Sequence, residues 1–595
     1  MSAESMSMKP TETNRCLPLK NQGFDNLVEA LEYAAEGETG YNFYNGRGEL
    51  YAVLSYKELR DEARVLARRL LGLGCERGAR VGIVAETDPM FHRFFYACQY
   101  AGFIPVSLPS SVQIGAHKAY VEQLRRMLET CGADIAVSPE SHATFLQEAT
   151  VGMSLKMAGV PEDFDALPES DAELRPMTAD EPAYLQYTSG STRFPRGVEI
   201  TQKAALKNLS EIAQEGLKIG REDRMVSWLP LYHDMGLVGF MLVPLASQLS
   251  TDYLSPRSFA MRPRLWLKVL SENRGTISSS PPFGYALCAK RLRWADCQAY
   301  DLSAWRVACV GAERINPEPL ERFAEVLKPT GFSPQAWVAC YGMAECTLAI
   351  SFAPLRAGLE IDIVDKELMA ERGEARPLPA SERGTRNSLC FVDCGEFLPS
   401  YSYSIRDDAG DPLPDRRCGR IWVKGPSVMT GYFEDPESTA EVMTSDGWLD
   451  TGDIGYCVGS RVFVTARSKD VIIIKGRNIW PQDLEHLAEQ IPGVRYGHVS
   501  AFAAPTRAGE ELAVLVAESR EKNPAKCRQI IEEMKAAVQI HFGINSYIDL
   551  VPSGTLPRTS SGKLSRSQTK RDFLARESWD AAQEGDRFAS AEANG

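Results

Sequence analysis

From Tyr56 onward the chain alternates between two hydrophobic rhythms. Tyr56 to Leu71 and Ala116 to Glu129 carry apolar residues at helical spacing among charged ones. Between them lie short apolar runs of strand length, Val81 to Ala85, Ile104 to Leu108 and Ile135 to Ser138, bounded by turn residues or charges. This alternation predicts an α/β fold with a mostly parallel sheet and helices on its faces. Two later apolar runs feed polar loops: Arg306 to Val310 runs into GAER, and Ala336 to Cys340 into YGMAE. In such sheets ligands bind beyond the carboxyl ends of the strands, so these loops are the places to look for a site.

The pattern changes twice. Residues 354–387 are rich in charge, Gly and Pro around one amphipathic piece, LEIDIVDKELMAER, and read as a surface insertion. Residues 400–464 are β-rich, with turn signals at DDAGD, PLPD and SDG. A polar joint, ARSKD, follows near Arg467, and beyond it comes a smaller α/β unit. The expected organisation is a loose tail over 1–20, a large N-terminal region of packed α/β subdomains plus a β-rich subdomain over 21–466, a hinge at 467–472, a small mobile C-terminal α/β domain over 473–580, and a frayed tail over 581–595. No internal repeat is visible.

The chain has 595 residues, 44% of them hydrophobic and 24% charged, which excludes a disordered chain, a collagen or a coiled-coil rod. Its net charge of −13 argues against a nucleic-acid binder. Fourteen scattered cysteines without a CxxC pair fit a reducing compartment. The N-terminus lacks the apolar core of a signal peptide. The most apolar run, Met235 to Ala246, is shorter than the roughly 20 residues a transmembrane helix needs. A cytoplasmic location is expected.

Five polar segments carry candidate chemistry. YTSGSTRFPRG (187–197) packs Thr188, Ser189, Gly190, Ser191 and Thr192 behind an apolar run, where hydroxyls and successive N–H groups can wrap phosphate oxygens. Arg193 and Arg196 add charge-assisted donors. The spacing is not that of a P-loop. YGMAECTL (341–348) sets an aromatic ring, a glycine and Glu345, a possible magnesium ligand, at a strand end. WLDTGD (448–453) offers Asp453 for two ribose hydroxyls, LPLYHDMG places His233 after a strand, and LPRTSSGKLSR places Lys563 on a Gly/Ser-rich loop as a point charge for phosphate. Each alone is more often an ordinary loop, a turn Asp, a structural His or a solvated Lys. Their joint occurrence in this order is what carries weight.

Together they resemble the adenylate-forming enzymes, which include acyl- and aryl-CoA synthetases, luciferases and peptide-synthetase adenylation domains. The resemblance runs from about Leu54 to Arg566. It implies that Thr188 to Thr192 cradle ATP phosphates, that Gly311, Ala312, Glu313, Tyr341, Gly342 and Met343 surround the adenine, that Asp453 and Arg467 hold the ribose, and that Glu345 with Thr188 holds Mg2+. Lys469 falls at the family's hinge, Lys563 at its catalytic lysine, and His233 at the aromatic position beside the acyl carboxylate. ATP and Mg2+ are the implied cofactors.

QYTSGSTR, LPLYHDMGL and KGRNIWPQDLE, with the insertion at 354–387, resemble the fatty acyl-AMP ligases. Arg193 and Arg196 replace the Gly and Lys of the common family loop. The subgroup implies a fatty acid substrate and transfer to the phosphopantetheine thiol of a separate acyl carrier protein, or of a polyketide or peptide synthase carrier domain. A long- or medium-chain acyl-CoA synthetase is the alternative. A non-catalytic relative is disfavoured because Glu345 and Lys563 are present. Carrier proteins are acidic, so a local basic patch is expected despite the net −13. Residues 226–231 and 276–285 are expected to border the acyl pocket, with a tunnel possible past Gly284.

Overall fold

The computed structural model describes residues 8–14, 16–110, 117–188, 195–292, 297–474, 477–505, 511–559 and 563–576. The helix Tyr56–Leu71 shows how local sequence becomes structure here. Ser55 and Glu58 form a reciprocal capping box at its start, Leu59, Ala63, Leu66 and Leu70 form its buried stripe, and Gly72 follows its end.

Two large sheets organise the N-terminal region. One has seven strands and is built around the parallel set Ile104–Leu108, Arg80–Val84, Ile135–Val137 and Met157–Gly159, with Pro182–Tyr187 parallel to Ile104–Leu108 on its other side. The other has thirteen. Its parallel half runs Gly40–Tyr44, Thr251–Leu254, Met225–Ser227, Ile277–Ser280, Val307–Val310, Trp337–Gly342. At Trp337–Gly342 the pairing turns antiparallel through Ala349–Phe352 and continues into Arg461–Arg467, Leu449–Val458 and Gly419–Lys424. The β-rich region is thus joined edge to edge with the α/β sheet rather than packed as a separate layer.

The small C-terminal domain holds a three-stranded sheet, Val494–Pro505, Glu511–Ser519 and Ser546–Pro552, covered by Pro481–Glu489 and Pro524–Phe542. Its core, from Ile472 to Ile548, is separate from the main core. The large sheet ends at Arg467, and the short turn Ser468–Asp470 leads into the small domain.

The expected loose tail is held in place from Thr11. Thr11 N–H donates to Asn42 at 2.8 Å, Arg224 donates to the Thr11 carbonyl at 2.6 Å, and the Lys20 N–H donates to Gln248 at 2.8 Å. The described residues among 8–20 therefore depart from the expectation, because side chains distant in sequence satisfy backbone groups at Thr11 and Lys20. Residues 1–7 and 577–595 lie outside the described residues.

The insertion is folded. Ile361–Asp365 pairs antiparallel with Ser388–Val392, and Asp365 caps the helix Lys366–Arg372. Val364, Met369 and Phe391 bury against Tyr456 and Phe463 of the large sheet and Trp480 of the small domain. All fourteen cysteines are free thiols. Among the described residues no helix is long and apolar enough to cross a membrane.

Candidate functional site

The loops at the carboxyl ends of Pro182–Tyr187, Val307–Val310 and Trp337–Gly342 converge on a cavity of about 230 Å³. Thr188, His233, Ala312, Tyr341, Gly342, Met343, Glu345, Arg467, Lys469 and Lys563 all line it. Residues more than 370 positions apart thus meet. Ser189, Gly190, Ser191, Thr192 and Arg193 lie outside the described residues. The base of their loop is closed by Thr188, whose N–H donates to the Arg196 carbonyl at 3.0 Å and whose Oγ1 accepts the Arg196 N–H at 3.3 Å.

Glycine is required at two strand ends beside the cavity, Gly342 in its lining and Gly311 next to Ala312. A Cβ at Gly311 would lie 2.5 Å from the Cys340 carbonyl oxygen, and one at Gly342 would lie 1.9 Å from that of Leu348. Both are below any real contact, so the strand ends approach this closely only because both residues lack side chains. Between Gly311 and Glu313, Ala312 adopts φ 69°, a left-handed conformation costing about 1–2 kcal/mol for a residue with a Cβ. Its carbonyl accepts the Lys563 ammonium at 2.7 Å.

Three buried carboxylates set the electrostatics. Glu345 accepts the Tyr432 hydroxyl at 2.9 Å. Burial raises its carboxyl above the ordinary value, and the Tyr432 hydroxyl and Arg467 offset that only in part. Asp453 accepts the Tyr341 hydroxyl at 2.8 Å and faces the Arg467 guanidinium at 3.4 Å. Burial raises this group too, against the pull of Arg467. Burial alone would also raise Asp234, but the His233 ring, 2.5 Å away, together with the Met235 N–H and the Lys563 ammonium holds Asp234 below the usual range. Lys563 experiences the opposite effect: burial lowers its ammonium, and the Glu313 and Asp234 carboxylates partly restore it.

Glu313 and Asp453 line a second, adjoining cavity of about 350 Å³ between the large region and the small domain. It shares Ala312, Tyr341, Gly342, Arg467 and Lys563 with the first, so the two are halves of one cleft. A third wall of the first cavity is apolar. Ile212, Leu217, Phe240, Leu348 and Phe352 line a branch flanked by two π-helical turns, Ile212–Gly216 and Val238–Leu242. Of the segments expected to border the acyl pocket, Ile277 and Ser279 do, whereas residues 226–231 do not. No space for a tunnel opens at Gly284 itself: a Cβ there would meet Ser280 Oγ at 2.0 Å and the Trp228 ring at 2.7 Å.

One contributor escaped sequence reasoning. Tyr432 holds Glu345 from 87 residues away, and no local spacing marks it. Arg196 stacks over the Tyr432 ring at 5.0 Å and faces Asp435 at 3.9 Å and Glu441 at 3.8 Å, so its charge is shared before any phosphate arrives.

An anionic ligand with an apolar tail fits such a cleft, and comparison with known proteins agrees. The AMP-binding enzyme family matches residues 32–433. The chain belongs to this family. It is 44% identical to a putative acyl-CoA synthetase of Caulobacter vibrioides, over 97% of this chain and 99% of that protein. It is 30% identical to the medium-chain-fatty-acid–acyl-carrier-protein ligase JamA of Moorena producens, over 93% and 95% respectively. A solved structure from work on fatty acyl-adenylate ligases of E. coli and L. pneumophila superimposes with a TM-score of 0.89 at 42% identity, covering 93% of this chain and 99% of that one.

Proposed function

We propose that the protein activates a fatty acid with ATP, forming a fatty acyl-adenylate and pyrophosphate, and then passes the acyl group to the phosphopantetheine thiol of a separate acyl carrier protein, breaking the acyl–phosphate bond and releasing AMP. The observation that carries the adenylation step is the shared cavity: an apolar branch and a polar cleft meet beside Lys563. The likeness to fatty acyl-adenylate ligases and to JamA supports the acid and the acceptor.

In this reading a carboxylate oxygen attacks the α-phosphorus of ATP, a new O–P bond forms, and the bond to pyrophosphate breaks. Both reactants are anionic, so the protein must supply positive charge where negative charge accumulates. Lys563 does so at the cleft junction, and its partial desolvation strengthens the contact. Thr188, with the loop 189–192, holds phosphate oxygens, and His233 sits beside the acyl carboxylate with its ring oriented by Asp234. Tyr341 orients Asp453 for the ribose hydroxyls, helped by Arg467. Gly311, Ala312, Glu313, Gly342 and Met343 form the adenine wall.

Glu345 fits a magnesium site: it is a buried carboxylate in the cavity wall, raised by desolvation, with one oxygen already oriented by Tyr432. Together with Thr188 it would hold the ion, which when bound neutralises phosphate charge. After adenylation, residues 467–472 act as the hinge around Lys469, and the small domain carries Lys563 away to admit the thiol.

The test is an assay of pyrophosphate release with a panel of free fatty acids, followed by acceptor competition. Release that depends on no fatty acid of any length refutes the activity. Coenzyme A is the second reading, favoured by the Caulobacter vibrioides relative. Efficient acyl-CoA formation by the intact protein would select it over the carrier.

A further inference from the structure

The interdomain cleft does not end at the adenine wall. Its lining passes through Arg314, Ile315, Asn316, Gln482 and His486 into a surface cavity of about 260 Å³ between the insertion and the small domain. This outer cavity carries Arg314, Lys366, Arg383 and Arg386 against Glu318 and Asp483. A surplus of positive charge on a chain of net −13 is a local exception. All four cations belong to the large region, so the lip they form persists when the small domain moves.

Their availability differs. Arg314 is committed to Asp483 at 2.8 Å. Lys366 donates to the His541 carbonyl at 2.7 Å and Arg386 to that of Ile540 at 2.9 Å, both neutral acceptors, and Asp483 offsets the Lys366 charge in part. Arg383 and Arg386 are exposed, and the Glu321 partner of Arg383 is a half-exposed surface residue. The crowding is felt locally. Lys366 is pushed down to about 8, mainly by burial, with Arg477 and Arg386 adding to it, and His541 is lowered by burial, Lys366 and Arg386.

We propose that the cationic lip formed by Arg383, Arg386 and Lys366 at the outer end of the cleft is the docking surface for an acidic carrier protein. This deepens the carrier-acceptor reading and rests on it. The insertion then has a recognition role: it places charge where an acidic helix face can settle, at the mouth of a cleft whose wall is continuous with that of Lys563. Exposed charges of this kind act mainly on encounter, so their removal should weaken carrier binding without touching chemistry.

The experiment compares the full-length wild type with Arg383→Glu and with the double variant Arg383→Glu/Arg386→Glu. Three acceptors are used: a holo acyl carrier protein, free pantetheine and coenzyme A. Fatty-acid-dependent pyrophosphate release and transfer to pantetheine should stay at wild-type levels. KM for the carrier should rise about tenfold in the double variant, with Arg383→Lys restoring it. The wild-type KM should also rise with salt, and the variant's should rise less. An unchanged carrier KM overturns the surface alone. An equal rise for coenzyme A assigns the lip to nucleotide phosphates and overturns the carrier as its occupant. An enzyme that makes adenylate but transfers it to no carrier overturns the acceptor reading, and this surface with it.

Discussion

The Lys563 ammonium rests on the Ala312 carbonyl at 2.7 Å, a contact joining the small domain to a left-handed residue in the wall of the large one. It holds the charge at the junction of the two cavities. Lys563→Ala removes one preorganised electrostatic donor, worth about 3 kcal/mol or roughly a hundredfold in rate. Adenylate formation should fall by that order while ATP binding stays close to wild type, since the other proposed ATP contacts belong to the large region. Single-turnover adenylation and equilibrium nucleotide binding measure the two separately. Near-normal turnover would remove Lys563 from the mechanism.

The same lysine sets a pH limit. Burial lowers its ammonium below the ordinary 10.5, so the cation is lost as pH rises through the lowered value. kcat/KM for ATP, which reports the free enzyme, should show an alkaline decline beginning below 10.5. In Lys563→Arg, whatever its reduced rate, this limb should move to higher pH because guanidinium keeps its proton. An identical alkaline limb in both enzymes would assign it to another group.

Much of this was legible in the sequence because it is written locally. The helix Tyr56–Leu71 and the strand Ile104–Leu108 announce themselves by period and length, and the polar loops stand directly behind apolar strands. What stayed hidden depends on distant pairs. The meeting of Tyr432 with Glu345, the anchoring of Thr11 on Asn42, and the edge-to-edge union of the two halves of the large sheet leave no spacing to read. Gly284 misled for a related reason: a missing side chain signals either open space or a close neighbour, and here Ser280 and Trp228 fill the gap.

The insertion offers a third test. Deleting residues 354–387 outright would expose Phe391, Tyr456 and Trp480, which pack on Val364 and Met369, so it would damage the core along with the contacts to the small domain. Lys366→Ala is cleaner. It removes the donor to the His541 carbonyl and the cation lying 3.5 Å from the centre of the Phe542 ring. If this contact restrains the small domain, coenzyme A use should rise severalfold relative to wild type while adenylate formation holds. Unchanged coenzyme A use would show that the insertion does not act through this contact.

Chain length should respond to one aromatic ring. Phe352 ends the strand Ala349–Phe352 and forms part of the apolar branch with Ile212 and Leu217. Gly216 lies against it: a Cβ there would come within 2.6 Å of the ring. The two positions therefore predict opposite effects. Phe352→Ala removes the ring and should move the optimum of fatty-acid-dependent pyrophosphate release toward longer acids. Gly216→Ala pushes the ring into the branch and should move it toward shorter ones. Each methylene gained or lost in an apolar pocket is worth about 1 kcal/mol, so a shift of two carbons should change the preference between neighbouring acids by tenfold or more. Both variants shifting the optimum in the same direction, or neither shifting it, would place the end of the acyl chain away from Phe352.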